Sequence, residues 1–181
     1  YCLSSENWKR PQQELDFLMH LLQQYMIEER STIMDNNIQV AVIGRRDGIP
    51  AEVQAEMDET IRLSAANTGT RLCLAINYGA RAELVDAVQR IAGDCASGKV
   101  KPAEISEELT SSYLYTAGMP DPDLMIRTAG EMRISNFLLW QISYAELWVT
   151  ERCWREFEIE DLHQAISDFA RRERRYGGLN E

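Results

Sequence analysis

Residues 38–43, IQVAVI, run into Gly44, and residues 72–76, LCLAI, follow the turn signal Thr68-Gly69. Both are short apolar runs bounded by turn residues, the pattern of a strand buried in a parallel sheet. Between them residues 50–67 carry apolar side chains at helical spacing, and a further helical pattern runs from about Ala80 to Ala96 before Gly98. Strand, helix, strand and helix in that order predict an α/β fold, a mainly parallel β-sheet flanked by helices.

Toward the N-terminus, Asn36-Asn37 ends a helix predicted from Pro11 to about Ile33. Proline is tolerated in a first helical turn, and Glu14 falls where an acid complements the helix dipole. Leu15, Leu18, Met19, Leu22, Tyr25 and Met26 recur along this helix at three- and four-residue spacing. Such a stripe reads either as core packing, the commoner case, or as the wall of an apolar ligand channel. Toward the C-terminus the pattern predicts a helix over 103–116, a short strand at Leu124–Ile126, a helix from Ser135, an extended stretch near Leu147–Val149 and a last helix from about Glu160 to Tyr176. No repeat or linker divides the chain, so residues 1–181 read as a single domain.

The chain has 181 residues, 45% hydrophobic and 27% charged, which is globular rather than disordered composition. Its formal net charge of −10 argues against a sequence-blind nucleic-acid binder, which normally carries the opposite sign. No apolar run is long enough to span a bilayer. The opening YCLSSENW is neither a signal nor a transit peptide, and it reads as the tail of a β-strand whose upstream residues are missing. Cys2, Cys73, Cys95 and Cys153 form no CxxC pair, so reduced, mostly packed thiols in a cytoplasmic protein are expected.

Polar chemistry concentrates in two segments. In the first, Ser4-Ser5-Glu6-Asn7-Trp8-Lys9-Arg10-Pro11 leaves a strand and enters a helix, where ligands of open α/β sheets gather. Its hydroxyls, amide and guanidinium suit an anion, with Trp8 as an apolar wall; a capped turn with Trp8 in the core is the equal alternative. The second runs from Asp123 through Arg127, Gly130, Glu131, Arg133, Ile134, Ser135 and Asn136 to Trp140. Two guanidiniums and a helix beginning at Ser135 would cradle a diphosphate. The alternative is an ion-pair network with Glu131 and Asp123. Glu146 could give one oxygen to Mg2+, which takes few carboxylates. Arg171-Arg172-Glu173-Arg174-Arg175 reads as a solvated helix end, with phosphate contact or a subunit interface the lesser reading. Neither His20 nor His163 lies in a polar segment, and there is no P-loop, GxGxxG or zinc spacing.

Four segments, SSENWKRPQQE at 4–14, NYGAR at 77–81, DLMIRTAGEMRISNFLLWQISYAEL at 123–147 and RRERRYGG at 171–178, resemble the cis-prenyltransferases, the undecaprenyl diphosphate synthase family, and its bacterial members most closely. The resemblance implies the cis-prenyltransferase fold with an apolar tunnel. It also implies a homodimeric, Mg2+-dependent cytoplasmic enzyme that condenses isopentenyl diphosphate with an allylic diphosphate such as farnesyl diphosphate. The implied product is a cis-polyprenyl diphosphate, undecaprenyl diphosphate for the lipid carrier of cell-wall (peptidoglycan) precursors. No nucleic-acid partner is implied, and membrane contact would be peripheral.

By the same resemblance, Arg127, Arg133 and Ser135, with Ile134 between them, hold isopentenyl diphosphate. Asn7 is the proton acceptor, and Ser4, Ser5, Glu6, Trp8 and Arg10 touch substrate. Glu146 ligates Mg2+, and the Leu/Met stripe lines the tunnel. Two departures are visible. The family's N-terminal strand and phosphate-binding loop, ending in Asp-Gly-Asn-Gly-Arg, is missing, so the 181 residues alone are expected to be inactive. Met132 stands where many bacterial members carry His, and a thioether is a poor ligand for Mg2+ or phosphate. The rival readings are a non-catalytic partner subunit and a synthase of the same fold making a short or branched product. The intact SSENW argues against the first. Thr70 is the candidate for a residue near the tunnel floor.

Overall fold

A computed structural model describes residues 1–173. By packing, the chain divides directly after Ala117 into two compact units, each described by itself.

The first unit runs from Tyr1 to Ala117. It contains β1 (Leu3–Ser4), α1 (Gln12–Glu28), α2 (Arg30–Asp35), β2 (Gln39–Ile43), α3 (Ala51–Ser64), β3 (Arg71–Tyr78), α4 (Ala80–Ala96) and α5 (Glu107–Tyr113). The strand order is β1-β3-β2 with both pairings parallel, and Val40 to Ile43 lie in register with Leu72 to Ala75. Met57, Val53 and Ile49 meet Met19 and Met26 of α1 and Leu3 and Ile76 of the sheet in one core. Parallel strands covered by helices explain why both runs read as continuously apolar. Only the start of β3, at Arg71 and Leu72, is exposed.

Three predicted helices differ here. The helix expected to reach about Ile33 breaks at Glu29, where ψ opens to 0°, and resumes as α2. Beyond the break, Arg30 Nη2 donates to Glu56 Oε2 at 2.7 Å, tying α2 to α3. The helix expected over 50–67 ends at Ser64. The helix expected over 103–116 is a 3-10 turn, Pro102–Glu104, followed by the shorter α5. There Ser106 Oγ accepts from the Leu109 amide at 3.2 Å, and a serine cap starts a helix anew.

The second unit begins at Gly118 and contains β4 (Leu124–Arg127), β5 (Glu146–Val149) and α6 (Ile159–Ala170). The two strands pair in parallel, Leu124 with Glu146 through Arg127 with Val149. The helix predicted from Ser135 is absent. Ser135, Asn136 and Leu138 have φ of 50°, 60° and 48°, left-handed values that a right-handed helix cannot contain. Residues 135–144 instead make successive turns. The last helix ends at Ala170 rather than near Tyr176, and the part of the RRERRYGG segment beyond Glu173 lies outside the described residues.

Candidate active site

In the first unit, β1 hands the chain at Ser4 to a single 3-10 turn, Ser5–Lys9. The turn is closed by Asn7, whose Oδ1 accepts from the Ser4 amide at 2.8 Å and from Ser4 Oγ at 2.9 Å. This is the reach-back half of a capping box, made with an amide. Trp8 packs against the apolar core while its indole Nε1 donates to Asn77 Oδ1. Asn77 Nδ2 then donates to the carbonyls of Arg45 and Asp47, at 3.1 and 3.0 Å. A Cβ on Gly48 would lie 3.4 Å from the indole, and its φ of +79° favours glycine. Trp8 is thus both core-packed and fixed at its polar edge. Ser5 Oγ donates to Glu6 Oε2 at 3.2 Å, and Arg10 pairs with Glu14 on the exposed surface.

Directly beneath β1 lies an apolar cavity of about 280 Å³. One wall is Leu18, Met19, Leu22, Tyr25 and Met26 of α1; Leu3, Leu74 and Ile76 of the sheet, with Cys2, face them. Cys2 and Tyr25 on its rim are exposed, so it is a cleft open to solvent, and its volume is well above the water-sized voids of a packed interior. Apolar lining without polar partners leaves it suited to hydrocarbon. Of the predicted stripe only Leu15 is elsewhere, buried but not lining the cavity. Thr70 is exposed and is not part of the lining.

In the second unit, β4 delivers Arg127 to a loop in which Glu131 bridges both predicted guanidiniums. Arg127 Nη2 and Arg133 Nη2 each donate to one of its oxygens. The hydrogen bond from Arg127 holds the Glu131 carboxyl below its ordinary range, against the opposing effect of desolvation. Arg127 Nε is buried with no hydrogen-bond partner among the described residues. A buried unpaired N–H of this kind is destabilising by about 1–3 kcal/mol, and an incoming anion would relieve it. Ala129 and Gly130 donate their amides to the carbonyls of Arg152 and Thr150, both at 2.8 Å, so the loop is stapled beside β5. A Cβ on Gly130, at φ +65°, would run into the Glu151 carboxylate. The cradle is therefore one of guanidiniums. The helix N-terminus expected at Ser135 does not form, and Ile134 and Ser135 sit half-buried on the turn. Of the alternative ion-pair network expected with Glu131 and Asp123, both guanidiniums pair with Glu131.

Glu146 opens β5, and its Oε2 accepts from Arg172 Nη1 at 2.6 Å. Among the described residues no three His, Cys, Asp or Glu side chains come together as a metal site. One carboxylate with an unengaged Oε1 fits Mg2+ only in its usual phosphate-bound mode, in which substrate oxygens and water complete the shell.

Three contributors escaped sequence reasoning. Asn77 behind Trp8 lay in the quoted NYGAR but carried no cue to its partner. The sheet side of the cavity comes from residues some 70 positions away from β1. Arg172 was one of five residues in a basic run, with nothing to single it out for Glu146. All four cysteines are free, as expected, but they are not mostly packed: Cys2 and Cys153 are exposed, and Cys73 and Cys95 are half-buried. No helix among the described residues is long and apolar enough to cross a membrane.

The chain matches known proteins along nearly its whole length. A family model described as "Putative undecaprenyl diphosphate synthase" matches residues 1–177. An isoprenyl transferase of Rhodopirellula baltica is 57% identical over 180 residues, which are 99% of this chain and 74% of that protein. An isoprenyl transferase of Bacillus cereus is 46% identical over 179 residues, 99% of this chain and 69% of that protein. Among solved structures, lavandulyl diphosphate synthase from Lavandula x intermedia in complex with dimethylallyl diphosphate superposes with a TM-score of 0.94 at 33% identity, covering 98% of this chain and 77% of that one. The crystal structure of "a probable undecaprenyl diphosphate synthase" from Campylobacter jejuni gives 0.85 at 32% identity, covering 98% and 81%.

Proposed function

The chain belongs to the undecaprenyl diphosphate synthase family of prenyltransferases, and from that membership we propose that it condenses isopentenyl diphosphate with an allylic diphosphate, farnesyl diphosphate, into a cis-polyprenyl diphosphate. The observation that supports this best lies in the first unit. The strand that walls the apolar cavity at Leu3 continues without a break into the polar turn at Ser4–Arg10. A hydrocarbon tail ending in an anion needs that order of surfaces, one apolar and one rich in donors.

In the reaction the allylic C–O bond breaks and its electron pair leaves with the diphosphate. A carbon–carbon bond forms to isopentenyl diphosphate, and the resulting cation loses a proton. Diphosphate is a poor leaving group unless its charge is met, so fixed donors and cations at the site carry much of the work. Arg127 and Arg133 bind isopentenyl diphosphate as paired forks, taking the place at which Glu131 now holds them. Ser4, Ser5, Glu6, Asn7, Trp8 and Arg10 serve the allylic side. When bound through Glu146 and the phosphates, Mg2+ supplies charge neutralisation to the diphosphate.

We take the product to be undecaprenyl diphosphate for cell-wall precursors, made by a cytoplasmic homodimer with peripheral membrane contact. The likeness to lavandulyl diphosphate synthase favours a second reading, a short or branched product on the same scaffold. Calorimetry on the full-length protein tests the cavity-and-turn reading. A non-reactive farnesyl diphosphate analogue should bind far more tightly than either farnesol or inorganic diphosphate; equal binding of diphosphate alone would remove the cavity from the account.

A further inference from the structure

We infer that Asn7 serves the reaction as a hydrogen-bond donor to a substrate diphosphate oxygen, through its side-chain Nδ2, and not as a proton acceptor. The inference rests on the prenyl-transfer reading and changes the role of one residue within it.

The orientation of the amide is fixed by its neighbour. A backbone N–H can only donate, so the atom 2.8 Å from the Ser4 amide is the Asn7 oxygen. Ser4 Oγ donates to the same oxygen at 2.9 Å. An amide oxygen has two lone pairs, and here both are engaged. It is a feeble base to begin with, and it has no vacant position for a proton.

The opposite end of the side chain differs. Nδ2 carries two N–H groups, and no hydrogen bond engages them among the described residues. Asn7 is half-buried on the turn that continues the cavity wall, so a prenyl tail in the cavity would bring its diphosphate toward that turn. A fixed donor aimed at a leaving diphosphate strengthens as charge develops on the oxygen, which is differential stabilisation of the transition state. The proton released after carbon–carbon bond formation then passes to the departed diphosphate, the most basic group available, directly or through one water. Ser4 becomes a positioning residue, because it decides which face of the amide the substrate meets.

The decisive variant is Asn7→Asp in the full-length protein. The new carboxylate still accepts from Ser4, so the turn and the melting temperature stay within about 2 °C of wild type. A donor role predicts loss of turnover by about a hundred-fold or more. It also predicts affinity for a non-reactive farnesyl diphosphate analogue, or for isopentenyl diphosphate, weaker by about tenfold or more. The ligand that weakens is the one Asn7 touches. A proton-acceptor role predicts the reverse, since a carboxylate is the stronger base: turnover equal to or above wild type, with unchanged affinity, overturns the inference. Should the variant melt early, the wild-type protein answers instead. The Asn7 side-chain amide resonance, selectively 15N-labelled, should move downfield when the analogue binds, and an unmoved resonance overturns the inference. A wild-type protein that binds no prenyl diphosphate overturns the prenyl-transfer reading itself, a separate result.

Discussion

Trp8 and Asn77, 69 residues apart in the sequence, are joined by a hydrogen bond from the indole Nε1 to the Asn77 side-chain oxygen. Asn77 is buried at the end of β3 with φ of 49°, a left-handed value that Asn tolerates better than most residues. Its Nδ2 holds the Arg45 and Asp47 carbonyls, so one side chain fixes the indole, the loop over 45–48 and the strand end together.

Asn77→Ala should therefore lower stability by about 2–3 kcal/mol, because it strands the indole N–H and two carbonyls. It should also raise KM for the allylic substrate more than it lowers kcat. Denaturant melts and steady-state kinetics check both parts.

Leu22→Trp fills the cavity from the α1 side. The predicted outcome is a shorter product, resolved by chromatography of the polyprenyl chains, with the first condensation retained. Leu22 is only partly buried, so the fold should tolerate the larger ring with a loss of about 1–3 kcal/mol. An unchanged product length would separate the cavity from chain growth.

The pH dependence of the cradle has a definite sign. Arg127 lowers the Glu131 carboxyl below its ordinary value of 4.5. The pair is thus fully stabilising above that value, and its contribution is lost as pH falls through the lowered one. Thermal melts between about pH 7 and pH 3 should show a shallower acid limb for Glu131→Gln than for the wild type.

Glu146→Gln removes a candidate Mg2+ ligand and leaves the shape unchanged. The Mg2+ concentration for half-maximal incorporation should rise by about tenfold or more. Stability should fall by less than about 1 kcal/mol, because the Glu146–Arg172 pair is partly exposed, with side-chain exposures of 28% and 35%. A Mg2+ titration followed by isopentenyl incorporation checks this.

The strands were legible because each is a short aliphatic run between turn residues, and burial on both faces erases alternation. Helix α4 was legible to the residue for a similar reason, with Gly79 before it and Gly98 soon after. Ser135 misled because a polar residue before Phe137-Leu-Leu-Trp140 imitates a helix start. One apolar turn is too little to nucleate a helix, and Ser135, Asn136 and Leu138 take left-handed backbone there instead. Glu29 carries no proline or glycine, so nothing local announced the break between α1 and α2. Half of the cavity wall was visible as a periodic stripe on α1. The other half, Leu74 and Ile76, reads as core in any one-dimensional view, since only the parallel register of β1 with β3 brings it opposite that stripe.

The most direct measurement incubates the full-length protein with labelled isopentenyl diphosphate, farnesyl diphosphate and Mg2+, and separates the products by chain length. Prenyl transfer predicts a ladder of polyprenyl diphosphates ending in one long species, abolished when Arg127 and Arg133 are both replaced by alanine. No incorporation by a folded, Mg2+-supplied protein that still binds farnesyl diphosphate would contradict it and leave a partner subunit in its place.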